Sequence, residues 1–452
     1  MPSARKMYRK ILIGLTLFTT SLATKAQENS PYSRYGLGDI ATNQHTAARG
    51  MGGMTAAFTD GQAVNTNNPA SYANIKLVTY DLGFMLDNRT LKSTNPEGSF
   101  SSTNLTPSYI TLAFPINAKK GMGMVIGVKP YTRVNYSILQ NTRVTGIDSL
   151  QYLYEGNGGL NQIFVGFAKR WKSLSLGING GYLFGKKETS TKTLFANDTV
   201  QYYKSLTNTN TTYGKLFFNV GLQYEATFNK KLTASTGVTT SSFLRLGAMG
   251  SIKQNMNAVT DRQVETFAFN TAGGTVRLDS ITSQKELEGT IVLPASYTIG
   301  IMYGNNISTK LGAYDRWMFG VEYSATQWTQ FRYYGLQDKV ANAWMFRTGT
   351  QYTPDALNSK SFFGRSTYRL GFYTGQDYIN ADGNKLKVSA ITMGLGFNLR
   401  KFRAYDNQFT LINTSLELGK RGSAKNNLTE NFVKVSLGLS LSDVWFIKRK
   451  YD

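Results

Sequence analysis

Few residues in this chain could do covalent chemistry. It has a single histidine, His45, and no cysteine. That removes thiolate nucleophiles, Cys-ligated zinc and iron–sulfur clusters. A lone histidine is more often a hydrogen-bonded packing residue than a base, and no second imidazole is present to complete a metal site. No G-x-S-x-G elbow occurs, so a Ser-His-Asp arrangement has no local signature. Gly50-Met51-Gly52-Gly53 lacks the Lys-Ser/Thr that completes a phosphate loop. Carboxylates such as Glu225 and Glu417 lie between apolar neighbours. They are expected to face inward and pair with Lys or Arg, because an unpaired buried charge is costly. The residues imply no enzyme, no metal and no cofactor.

The elements that carry these residues read as strands. From Phe432 to Leu441, Val433, Val435, Leu437, Leu439 and Leu441 alternate with Lys434, Ser436, Gly438 and Ser440. Successive strand side chains point to opposite faces, so one face is apolar and the other polar or small. Such a segment matches the roughly 9–11 residues of a tilted membrane-crossing strand. Fourteen segments of this kind can be counted. They begin with Leu77–Leu86 and Ser108–Pro115 and include Gly121–Tyr131, Gly214–Phe228 and Leu232–Phe243. Later ones are Ala295–Tyr303, Trp317–Trp328 and Lys387–Asn398, and the last extends to Phe446. Long connections, such as 132–158, 186–213 and 244–294, alternate with short ones, such as 116–120, 170–173 and 229–231. That alternation predicts long outer loops and short periplasmic turns. Tyr131, Trp171, Tyr182, Trp317, Trp328, Trp344 and Trp445 fall near strand ends, as interfacial girdles do. The fold expected is all-β: a fourteen-stranded antiparallel transmembrane barrel.

The N-terminus reads as an export signal over residues 1–26. Arg5, Lys6, Arg9 and Lys10 precede an apolar run from Ile11 to Ala23, and small residues lead to Ala26. No later run of about 18 apolar residues follows. Residues 1–26 hold five Lys and Arg and no acid, so the remainder carries 45 basic against 27 acidic residues, a net +18. Basic clusters fall at inner turns, such as Lys119-Lys120, Lys169-Arg170, Lys230-Lys231 and Arg400-Lys401. This favours turns and surfaces near anionic lipid over a nucleic-acid partner. The barrel is expected over residues 77–447, with a basic periplasmic tail at 448–452.

Residues 27–76 have a different texture, rich in Gly, Asn, Ala and Thr, without sustained alternation. Gly50, Gly52 and Gly53 are followed by Asp60 and then by Asn68-Pro69-Ala70. A glycine-rich approach, an acidic step and Asn-Pro-Ala ahead of fourteen strands resemble the FadL-type outer-membrane barrels. The resemblance implies that residues 27–76 form a hatch inside the barrel. It also implies bacterial outer-membrane placement and passive uptake of a hydrophobic molecule released sideways at a kinked third strand. Here that strand carries Gly127 and Pro130, and proline cannot donate to a ladder. Not every relative transports: PorV-type proteins of the type IX secretion system hold exported cargo. The polar 244–294 connection suits a protein partner in the outer membrane or periplasm as well as a ligand. The partners expected are outer-membrane lipid, a hydrophobic ligand and such proteins.

Overall fold

The computed structural model describes residues 30–443, apart from 145–147, 196–201, 236, 271–273, 310–311, 358, 382 and 401–408. The signal segment, Trp445, Lys401, the extension to Phe446 and the basic tail lie outside the described residues.

Fourteen long strands form one ring. They are β1 (Val78–Thr94), β2 (Glu97–Asn117), β3 (Met122–Val144), β4 (Asp148–Trp171), β5 (Leu174–Phe195), β6 (Lys204–Thr233) and β7 (Val238–Ser251). The second half comprises β8 (Ser296–Thr309), β9 (Gly312–Thr326), β10 (Ala343–Tyr352), β11 (Thr367–Gln376), β12 (Lys387–Arg400), β13 (Phe409–Arg421) and β14 (Leu428–Asp443). Each pairs antiparallel with the next, and β14 closes on β1 from Leu428↔Ser93 to Asp443↔Val78.

The ring is inverted relative to a soluble protein. On β14, Val433, Val435, Leu437 and Leu441 are exposed, while Glu430, Lys434, Ser436 and Ser440 are buried. Apolar side chains facing out and polar ones facing in are what a lipid-facing wall requires. Trp171, Tyr182, Trp317 and Trp344 are exposed on that outer surface. Trp328 is not. It begins a short 3-10 turn beyond β9 and is buried, stacked on Tyr378 at 4.1 Å. The girdle expectation fails there because the strand ends two residues earlier.

Several expected loops are strand. β3 and β4 stay paired out to Val144↔Asp148, and β5 and β6 out to Thr193↔Ser205. At roughly 3.4 Å per residue, strands of more than twenty residues far exceed an apolar band of about 25 Å. Their outer halves therefore stand clear of the membrane as one sheet. The expected turn at 229–231 is instead a bulge inside β6, between Phe228 and Lys231, and the turn follows Thr233. The expected 244–294 loop is the end of β7 followed by a hairpin, Gln254–Phe269 and Thr275–Leu293. Its first strand pairs with Lys204–Gly214 of β6 and so widens the outer sheet.

Candidate functional site

The chemistry-bearing side chains converge on the inside of the ring, around the N-terminal segment. This segment is built from turns rather than regular elements: a 3-10 turn at Pro31–Arg34, one helical turn at Thr46–Arg49 and a second 3-10 turn at Pro69–Asn74. Its residues are nearly all buried, and its contacts run round the wall.

One flank of the segment is held by charge. Asp39 lies 3.0 Å from both Arg421 and Arg89. Arg421 also meets Asp377 at 2.9 Å and Glu430 at 3.2 Å. Burial by itself pushes the Asp39 carboxyl up. The Arg421 and Arg89 guanidiniums outweigh that and hold it below the ordinary carboxylate range. His45 caps the helical turn by accepting from the Ala47 amide at Nδ1, and its Nε2 lies 2.9 Å from Asp81 on β1. Arg49, 1% exposed, donates from Nε to Glu417 of β13 at 2.6 Å. Glu322 of β9 accepts from the Thr55 and Ala56 amides at 2.6 Å each and pairs with Arg347 at 3.1 Å. Glu225 pairs with Arg245. The two carboxylates expected to face inward against cations, Glu225 and Glu417, do so.

The other flank is held by shape. At Gly177 of β5 an added Cβ would stand 2.3 Å from the Pro69 carbonyl carbon, and at Gly221 of β6, 2.0 Å from Asn68 Oδ1. Asn68 Oδ1 accepts from the Ala70 amide at 3.1 Å, capping the turn that Pro69 opens. Its Nδ2 donates to the Ala56 carbonyl at 2.6 Å. Tyr72 donates to Asn179 of β5 at 3.0 Å, and burial pushes its phenol well up.

The residues singled out from sequence therefore do not form one pocket. Gly50 abuts Gly394 of β12, and Gly52, at φ +72, lies against the Thr348 and Phe372 carbonyls. Gly53 adopts φ +76 beside Arg347. Asn68, Pro69 and Ala70 lie against β5 and β6 instead. Asp60 is half-buried and accepts from the Gln62 amide. Gly127 and Pro130 stand at a break in the wall. The β2–β3 ladder stops at Ile110↔Val128, and β3 slips register against β4 between Pro130 and Thr132. Beyond the break, Asp39 and Ile40 pair with Arg133 and Thr132 where β2 no longer does. Sequence reasoning missed Arg49, Arg421, Glu322 and Asp81. For Arg421, Glu322 and Asp81 the signal was a charged residue at an inward position of an otherwise apolar strand; Arg49, in the helical turn, carried no such signal.

Two cavities flank the segment. One, of about 280 Å3, is bordered by nine charged side chains, among them Arg49, Arg89, Glu417 and Lys434, together with Trp328 and Tyr378. The other, of about 290 Å3, is bordered by Asn43, Gln162, Glu322 and Arg347 among others. Buried charges of this kind persist only when paired and hydrogen-bonded.

A closed ring of fourteen antiparallel strands, with the N-terminal segment packed against its inner surface, is the fold of the FadL-type outer-membrane barrels. The Ralstonia pickettii toluene transporter TbuX shares it at 15% identity, TM-score 0.52, over 90% of this chain and 99% of that one. The P. putida toluene transporter TodX does so at 14% identity, TM-score 0.51, over 91% and 100%. At these identities the likeness is one of fold. The chain belongs to the BamG family, whose model matches residues 7–452. No curated protein matches the sequence.

Proposed function

We propose that the chain is a non-transporting subunit of an outer-membrane protein complex serving protein secretion or envelope biogenesis. In this reading residues 27–76 are a fixed plug and the outer sheet is the surface offered to partner proteins. One observation carries it: buried carboxylate–cation pairs tie the inner segment to β1 and β13. Displacing it would separate Arg49 from Glu417 and Asp39 from Arg421 and Arg89, at several kcal/mol for each ion left unpaired. The hairpin exposes Phe269, Val276, Leu278, Ile281 and Leu287 well beyond the lipid-facing band, and exposed apolar patches mark interaction surfaces. Membership of the BamG family is consistent with this reading. Export by a signal cleaved near Ala26, and placement in the outer membrane, belong to the same proposal.

A second reading has one observation in its favour. The break between β2 and β3 is where a hydrophobic molecule taken up through the lumen would leave sideways. The two are separated by extracting the chain in mild detergent at endogenous expression and measuring the mass of the particle. The subunit reading expects a particle larger than the 50.1 kDa chain, with partners in fixed ratio, and its loss on deleting 254–293. A lone chain carrying a hydrocarbon in the lumen would overturn it in favour of uptake.

A further inference from the structure

The break between β2 and β3 opens a cleft of about 360 Å3 through the wall. Its lower border is apolar. Ile110 and Val128, the last ladder pair, are 53% and 40% exposed on the lipid side. Its remaining charged neighbours are all cations: Lys129, Arg133 and Lys186, with no acid among the described residues that line it. The wall on the β4 and β5 side is bare backbone at Gly158, Gly159 and Gly185. A Cβ at any of these would stand within 2.3 Å of a carbonyl oxygen.

Lys129 is the unusual member. It is 5% exposed and donates to the Thr66 carbonyl and hydroxyl at 3.4 and 3.2 Å, with the Phe164 ring 5.6 Å away. Neither partner is an anion, whereas Arg49, Arg89, Arg245, Arg347 and Arg421 sit against carboxylates. A buried ammonium without a counter-charge is costly. Arg133 reaches across the break to the Pro107 carbonyl at 2.9 Å. Lys186 is exposed and shares only a surface pair with Glu188.

The level of the cleft matters as much as its charge. On β4 and β5 the outward residues just below it, Ile163 and Phe184, are exposed and apolar. Lys186 is the next outward residue above Phe184. The cleft thus lies where the apolar band gives way to charge, at the height of outer-leaflet headgroups. Cations at a membrane surface attract anionic lipid, and an adjoining apolar slot takes a chain.

We propose that this cleft binds one anionic phospholipid, its phosphate against Lys129, Arg133 and Lys186 and an acyl chain along Ile110 and Val128. The site holds whether or not the chain has protein partners, because it uses only this chain's wall.

The test is native mass spectrometry of the full chain in mild detergent. It is titrated with dioleoylphosphatidylglycerol, with dioleoylphosphatidylcholine of the same chain length, and with inorganic phosphate alone. Phosphatidylglycerol is expected to be retained about tenfold over phosphatidylcholine. Arg133→Gln/Lys186→Gln, and separately Lys129→Met, are each expected to lower that ratio about fivefold or more. Heat-dependent gel mobility reports that each variant is a folded barrel. If Lys129→Met does not fold, the exposed double variant decides. Equal retention of both lipids, or a preference unchanged in the folded variants, would overturn the site. Displacement of the lipid by inorganic phosphate would make it a free-anion site and overturn the lipid assignment.

Discussion

Both flanks of the inner segment pack by glycine-permitted contact, and charge distinguishes them. Toward β9–β14 and β1, residues 39–56 are clamped by ion pairs, Asp39 to Arg421 and Arg89 and Arg49 to Glu417, and by contacts to carboxylates, His45 to Asp81 and the Thr55 and Ala56 amides to Glu322. Toward β5–β7, residues 65–74 are held by glycine-permitted backbone contact and neutral hydrogen bonds. Charge pairing is strong but conditional, since losing one partner strands the other. Steric fit is indifferent to pH and fails only when volume is added. A segment secured in both ways resists any single perturbation, which is expected of a structural plug and awkward for a gate.

The largest effect should come from the charged flank. Glu417→Ala leaves Arg49 buried without its carboxylate and is expected to cost about 3–5 kcal/mol. Chemical unfolding in detergent measures it, and adding Arg49→Met should restore most of the loss. On the steric flank, Gly221→Ala forces a Cβ onto Asn68 and should cost about 1–3 kcal/mol, with residues 65–74 becoming protease-sensitive while the charged flank stays protected. Asn68→Ala removes the cap and the Ala56 bond and should cost about 1–2 kcal/mol. A larger loss there than from Glu417→Ala would invert the comparison.

The smallest effect at neutral pH is acid sensitivity confined to the charged flank. Asp39 has a folded value below its ordinary one near 3.9. Its contribution is therefore complete above that ordinary value and is lost as pH falls through the lower folded value. Limited proteolysis should find residues 39–43 unchanged between pH 7 and about 5 and loosened in stronger acid, with 65–74 unaffected. Asp39→Asn should abolish that pH dependence.

Much of the wall was legible in the sequence. The alternation of β14 survives intact because lipid on one side and a polar interior on the other impose a period of two. The hairpin at 254–293 was not legible, because its burial alternates only near the base, at Met256, Ala258, Ile291 and Leu293, while nearly all of Thr275–Thr290 is exposed and has no apolar side to repeat. Trp328 misled because an aromatic near a strand end looks the same whether it faces lipid or turns inward. The ion pairs were illegible for another reason. Arg49 and Glu417 are 368 residues apart, and alternation says that a carboxylate faces in but not which cation it meets. The break at β3 was suggested by Pro130. The pairing of Asp39 and Ile40 with β3 beyond it had no signal, since two residues are too few for any period.

Hydrogen exchange on the chain in outer-membrane vesicles tests whether the inner segment is a fixed plug. Buried amides hydrogen-bonded inside a closed ring exchange only when the structure opens. In a fixed plug the amides of residues 46–56 and 64–75 stay protected for hours at neutral pH, on a par with the ladder amides of β12–β14. Exchange of those amides within seconds, with the wall still protected, would contradict it and show a segment that opens on its own.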